Sequence, residues 1–189
     1  MPLNWRKEGT LSPRLIYHAA ATDVTVQFAK ADARHLDYSN QFDGVIMVCE
    51  GAFPLMETDE MNFDILKNAS RALKQRGLFI FTTLNGLFPL FHSVKDYMNE
   101  HQDHDSIKES PFDLMTFRDH SEYEHVSYDG NKHSIKCNER YYVPSEITWL
   151  LKMAGFSEID IYAAELGNWR RDKKLTTEDL EMLVVTRKK

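Results

Sequence analysis

The feature that most constrains this chain is the run Phe42-Asp43-Gly44-Val45-Ile46-Met47-Val48-Cys49, together with the turn and helical repeat just after it. Short, apolar and rich in branched residues, the run fits a strand buried on both faces. After the turn Glu50-Gly51-Ala52-Phe53-Pro54, a helical repeat extends from about Asp59 to Gln75. Met61, Ile65, Ala69, Ala72 and Leu73 form its inward face, and Gly77 is its expected stop. Leu78-Phe79-Ile80-Phe81-Thr82-Thr83 reads as a further strand. Strand and helix alternate, which argues for an α/β layered fold.

The flanks extend this pattern. Ser12 can cap a helix with Pro13 at its first position, its apolar face formed by Leu15, Ile16 and Ala19; Val24 to Ala29 reads as a strand. Residues 86–143 differ in character. A helical pattern over Gly86 to Glu100 leads into the polar stretch His101 to Asp105. Two alternating stretches come next, Met115 to Val126 and His133 to Val143, and Asp129-Gly130 between them is a turn signal. This predicts an antiparallel insertion acting as a lid within a single domain of residues 1–189. Pro144 opens a helix with Ile147, Leu150, Leu151 and Ala154 on one face and Gly155 as its C-terminal cap. Val143 stands where a Ser or Thr would complete a capping box with Glu146. Two strands, Glu158 to Ala163 and Leu180 to Thr186, end the pattern.

Composition narrows the function classes. The chain has 189 residues, 42% of them hydrophobic and 28% charged, and a formal net charge of −6. No basic excess exists for nucleic-acid binding, and no apolar run approaches the ~20 residues that span a bilayer. Two cysteines, Cys49 and Cys137, make no disulfide framework and suit a cytoplasmic protein. His101, His104, Asp105, His120, His125 and His133 read as solvated polar residues, so no metal site is expected.

Ligands of open α/β sheets bind beyond the carboxyl ends of the strands, and two such ends carry chemistry. In Ala31-Asp32-Ala33-Arg34 the carboxylate either accepts hydrogen bonds from an adenine amino group or a ribose hydroxyl, or caps nearby amides. In Cys49-Glu50-Gly51-Ala52-Phe53, the glycine permits close approach of the chain to a ligand. Phe53 offers a flat apolar surface there or else belongs to the core.

These segments, in this order, resemble the class I S-adenosylmethionine-dependent methyltransferases. So do Ala72-Leu73-Lys74-Gln75-Arg76-Gly77-Leu78-Phe79-Ile80 and the tail from Tyr141-Tyr142-Val143-Pro144-Ser145-Glu146-Ile147 through Ala154-Gly155-Phe156. The resemblance implies a Rossmann-like methyltransferase sheet, N-terminally incomplete, with S-adenosylmethionine as cofactor. Asp32 and Ala33 would contact the adenine, Cys49 and Glu50 would face the cofactor's central portion, and Phe53 would pack near the cofactor or the substrate entrance. Glu50, Tyr123, Arg140 and Tyr141 are the candidates for acceptor contact or proton removal.

The chain also departs from that family. Its eight glycines never approach closer than seven positions, so no G-x-G turn is present to hold the methionine part of the cofactor. Thr10 stands near the place of the acid that would hold the ribose hydroxyls. The expectation is methyl transfer to a small-molecule acceptor, impaired by the missing glycine-rich loop. The competing expectation is a non-catalytic methyltransferase-like remnant serving as a partner subunit. Under that reading its sheet is completed by another chain or by a second copy.

Overall fold

The computed structural model describes residues 27, 29–48, 53–101, 106–109, 111–127, 130–165 and 169–189, with the backbone alone at His101, 106–109, Tyr123 and His125. The chain divides into two compact units, Met1–Asp32 and Ala33–Lys189. The helix expected from Ser12 and most of the strand expected at Val24–Ala29 lie outside the described residues. Gln27 and Ala29, which are described, have no regular structure.

The second unit is built on a four-stranded sheet of β1 (Phe42–Met47), β2 (Leu73–Leu84), β10 (Glu181–Lys188) and β9 (Phe156–Ala164), in that order. β1 and β2 are parallel, joined by helix α1 (Asp59–Ala72). β10 runs antiparallel to both of its neighbours, β2 and β9. Thr58 caps α1, its hydroxyl oxygen accepting from the Met61 N–H at 3.3 Å.

The expected helix end at Gln75 and stop at Gly77 are corrected. α1 ends at Ala72, because Leu73 is fully buried and pairs with Phe42 of β1. Pairing then skips from Leu73 to Leu78 while β1 advances only from Phe42 to Gly44. Lys74 to Gly77 are therefore a bulge, with Arg76 rather than glycine in the left-handed region at φ 60°. The inward face of α1 is also rotated: Asn62, Ile65, Leu66, Asn68, Ala69 and Ala72 are buried, and Met61 is half-buried.

One face of the sheet carries the main core. Phe79, Phe81, Met182 and Val184 pack with Ile65 and Leu66 of α1 and with Ile147 and Leu151 of helix α3 (Pro144–Met153). Ile147 and Leu151 fall on the face expected for them. At the head of α3, the Glu146 carboxylate accepts from the Val143 N–H at 3.0 Å, supplying the half of the capping box available without a hydroxyl. Gly155, at φ 92°, ends the helix in a conformation disfavoured for other residues. The other sheet face holds a smaller cluster of Leu183, Val185 and Ala164, with Leu78, Ile80 and Tyr162 against it.

Between β2 and α3 the chain forms the antiparallel insertion. The single helix expected over Gly86 to Glu100 is instead two pieces, a 3-10 turn at Phe88–Leu90 and helix α2 (Val94–His101). The break comes where Ser93 accepts from the Asp96 N–H at 3.2 Å and starts a new helix. Strands β3 (Ser106–Glu109), β6 (Glu122–Val126) and β7 (Lys132–Lys136) form one small sheet; β4 (Phe112–Asp113), β5 (Arg118–Asp119) and β8 (Glu139–Arg140) form another. The β6–β7 hairpin turns at Gly130, with φ 82°, and Ser127 and Asn131 close it.

Candidate functional site

Parallel β1 and β2 deliver their carboxyl ends to one edge of the sheet, where polar loops can meet a ligand. The β1 exit runs through residues 49–52, outside the described residues, and is next seen at Phe53 and Pro54. Phe53 is completely buried: it stacks on Tyr142 at 4.9 Å and meets Phe81 edge-on at 5.9 Å. At the β2 exit, Asn85 pairs with Tyr142, and the Gly86 N–H donates to the Tyr142 carbonyl at 2.9 Å. A Cβ on Gly86 would lie 3.0 Å from the backbone of Tyr142 and Val143, so a larger residue would push these neighbours aside by a few tenths of an ångström.

The loop from Pro54 to Thr58 is held from three sides. The buried Arg118 of β5 donates to the Met56 carbonyl at 2.9 Å, to the Asn138 side chain at 3.0 Å and to Asp59 at 2.6 Å. Arg140 of β8 donates from its backbone to the Pro54 carbonyl at 3.2 Å. Its guanidinium reaches Asp59 at 3.4 Å, Glu146 at 2.6 Å and the Tyr141 carbonyl, and lies over the Tyr142 ring at 4.6 Å. From α1, Asn62 accepts from the Met56 N–H at 3.1 Å and donates to the Pro54 carbonyl at 3.4 Å and the Tyr142 hydroxyl at 2.9 Å. Burial, and next the nearby Asp59 carboxylate, push the Tyr142 hydroxyl well above its ordinary pKa. Tyr142 therefore stays neutral and serves as a fixed hydrogen-bonding post.

A second loop, Ala33 to Leu36, lies against the far half of α1. Asn68 donates to the Arg34 carbonyl at 2.6 Å and accepts from the Leu36 N–H at 3.2 Å. Arg71 donates to the Leu36 carbonyl and, at 2.6 Å, to Asn68.

The expected site residues thus fall in different settings. Ala33 is half-buried and packs against the main core, and Asp32, exposed, is the last residue of the first unit. Cys49 and Glu50 lie outside the described residues, as does the side chain of Tyr123; the Tyr123 backbone belongs to β6. Arg140 and Tyr141 are buried. Tyr141 packs with Leu84, Phe88 and Val94 and meets Phe112 edge-on at 5.3 Å. Asn62, Asn68 and Arg118 escape the reading of the sequence alone. Asn62 and Asn68 leave one sequence signal, a polar residue on the buried side of a helix, as with Asn62 three positions before Ile65; Arg118, on β5, leaves no such signal.

No family model and no curated protein sequence matches the chain. Solved structures do. The CcbJ methyltransferase of Streptomyces caelestis superposes with a TM-score of 0.67 at 19% identity, over 93% of this chain and 69% of that one. An S-adenosylmethionine-dependent methyltransferase of Clostridium acetobutylicum gives 0.64 at 14% identity, over 93% and 72%. CalS10 of Micromonospora echinaspora, an amino pentose methyltransferase with S-adenosylmethionine bound, gives 0.57 at 15% identity, over 95% and 72%. The chain has the fold of the class I S-adenosylmethionine-dependent methyltransferases, as the order of its sequence segments implied.

Proposed function

We propose that this chain is a methyltransferase that binds S-adenosylmethionine beyond the carboxyl ends of β1 and β2 and methylates a small-molecule acceptor in the cytoplasm. The observation that carries the reading is the likeness of nearly the whole chain to structures of such enzymes. The residue chemistry fits. The Asp32 carboxylate is exposed, so burial does not oppose its accepting adenine or ribose hydrogen bonds. The cofactor supplies an electrophilic methyl group on a sulfonium, so the protein's task is to hold an acceptor in line with it.

Within this reading, Asp32 and Ala33 serve the adenine side, and Cys49, Glu50 and the turn ending at Phe53 serve the central portion. Glu50 and Tyr123 are the groups that would reach an acceptor or take its proton. Arg140 and Tyr141, buried with their partners, support the insertion, which acts as the lid. The main-chain donors of a G-x-G turn are missing from the sequence, so binding is weak, with a dissociation constant of roughly 0.1–1 mM. Saturation-transfer NMR with S-adenosylhomocysteine checks this: transfer to the adenine protons is expected, and none at millimolar ligand sinks the reading. Calorimetry showing low-micromolar binding would overturn the weak-binding part alone.

One observation favours a second reading, a partner subunit. β1 has no second strand neighbour among the described residues, and Ile46 is 72% exposed on it. Such an edge invites pairing with another chain or a second copy. Light scattering across a concentration series distinguishes the two: a monomer throughout, with a cooperative thermal transition, removes the partner reading.

A further inference from the structure

The proposed site draws on two stretches of chain, one ending in the 33–36 loop and one in the 53–58 loop, and both loops are fastened to one helix. Asn62, fully buried, grips the second through the Met56 N–H and the Pro54 carbonyl. Asn68, 8% exposed, grips the first through the Arg34 carbonyl and the Leu36 N–H. Each asparagine therefore acts as donor and acceptor to the main chain of its loop. That two-sided grip fixes a loop's height and its rotation, and neither a hydroxyl nor a carboxylate offers both functions on one planar group. A helix interior does not favour asparagine, and burying an amide costs free energy unless it is bonded. Leucine would satisfy the packing at both places; two asparagines six positions apart do something leucine does not.

We infer that Asn62 and Asn68 are positioning residues, Asn68 setting the adenine-side loop and Asn62 the loop that leaves the methyl-transfer side. The inference rests on the proposed methyltransferase reading. It assigns the two residues separable effects, because each loop serves a different part of one ligand. A shared α1 between them makes the spacing of the two half-sites a property of one rigid rod.

The test uses two probes on the full chain, adenosine and S-adenosylhomocysteine, with binding measured by saturation-transfer NMR. Asn68→Leu is expected to weaken both by about tenfold, the effect of a lost buried hydrogen-bonded partner. Asn62→Leu is expected to weaken S-adenosylhomocysteine about tenfold and adenosine less than twofold. A residue that only supported the fold would move both probes together, so equal losses of adenosine and S-adenosylhomocysteine in Asn62→Leu overturn the inference, as do unchanged affinities in either variant. Failure of the unaltered chain to bind either probe overturns the methyltransferase reading itself, a different result. Should a leucine variant not fold, hydrogen exchange on the unaltered chain decides. The Leu36 and Met56 amides are expected to exchange at least tenfold more slowly than unstructured ones; rates equal to those of an open loop overturn the inference.

Discussion

The four-stranded sheet and the insertion are both β-structure, yet they are stabilised in opposite ways. In β10 the residues from Met182 to Thr186 are all buried, and Phe79 and Phe81 beside them are at 0% exposure. In β7 all five residues are exposed. Polar cross-strand pairs hold that hairpin instead: Lys132 with Glu124 at 2.7 Å, and Ser134 with Glu122. The insertion is joined to the rest by the Arg118–Asp59–Arg140–Glu146 web and the aromatic cluster around Tyr141. The sheet is a core in the hydrophobic sense, while the β3–β6–β7 part of the insertion is an attachment whose stability is borrowed. Their edges differ to match. Lys132 and Lys136 on β7 protect it against pairing with further strands, whereas β1 carries one charge, Asp43, held by Lys74 at 2.8 Å.

This contrast can be broken by mutation. Phe81→Ala is expected to cost about 3–5 kcal/mol in urea unfolding, by lost transfer energy and a cavity between the sheet and α1. A loss below about 1 kcal/mol would mean the sheet is not the centre of stability. Arg118→Met should cost less, about 1–2 kcal/mol, because Asp59 is half-exposed and keeps its hydration. Its larger consequence is local: limited proteolysis should cut between Ser106 and Lys136 faster, with the main sheet still intact. Cleavage unchanged there would show that the web does not tether the insertion.

A third test concerns acid. Burial raises the Asp179 carboxyl, yet hydrogen bonds from Lys173 and Thr176 outweigh it, and the net pKa lies below the ordinary 3.8. A lowered carboxylate contributes stability above its unfolded pKa and loses it as pH falls through the folded value. Asp179→Asn should therefore cost about 1 kcal/mol at neutral pH, with the difference from the unaltered chain shrinking as the pH falls below the ordinary carboxylate value of 3.8. A difference that persisted unchanged in acid would exclude the charge as its source. The smallest effect belongs to Ile135→Ala on β7, under about 0.5 kcal/mol, since its side chain is already 45% exposed.

Much of the framework was legible in the residues. β1, β2, α3 and the two last strands follow from apolar runs and from helical spacing at Ile147 and Leu151, since burial leaves a periodic trace. But β1, expected to be buried on both faces, lies at the end of the strand order with Phe42 and Ile46 exposed. The end of α1 was not legible. Leu73 continues the helical period, and only its pairing with Phe42 turns it into strand. The split at Ser93 was likewise hidden within a continuous helical pattern. Arg118, Asn62 and Asn68 left little trace because the loop atoms they hold are main-chain groups 6, 32, 34 and 62 residues away in sequence, which carry no residue code. The side-chain partners Asn138, Asp59 and Tyr142 are 20, 59 and 80 residues away.

The amino-acid sequence by itself determined the layered α/β plan and the ordered segments that resemble methyltransferases, because apolar periodicity and turn residues act locally. Only the tertiary structure decided that Phe53 and Arg140 are interior supports and that α1 fastens both loops. Those roles depend on which backbone carbonyls and amides arrive beside a side chain once the sheet has formed, a matter of long-range geometry rather than of residue type.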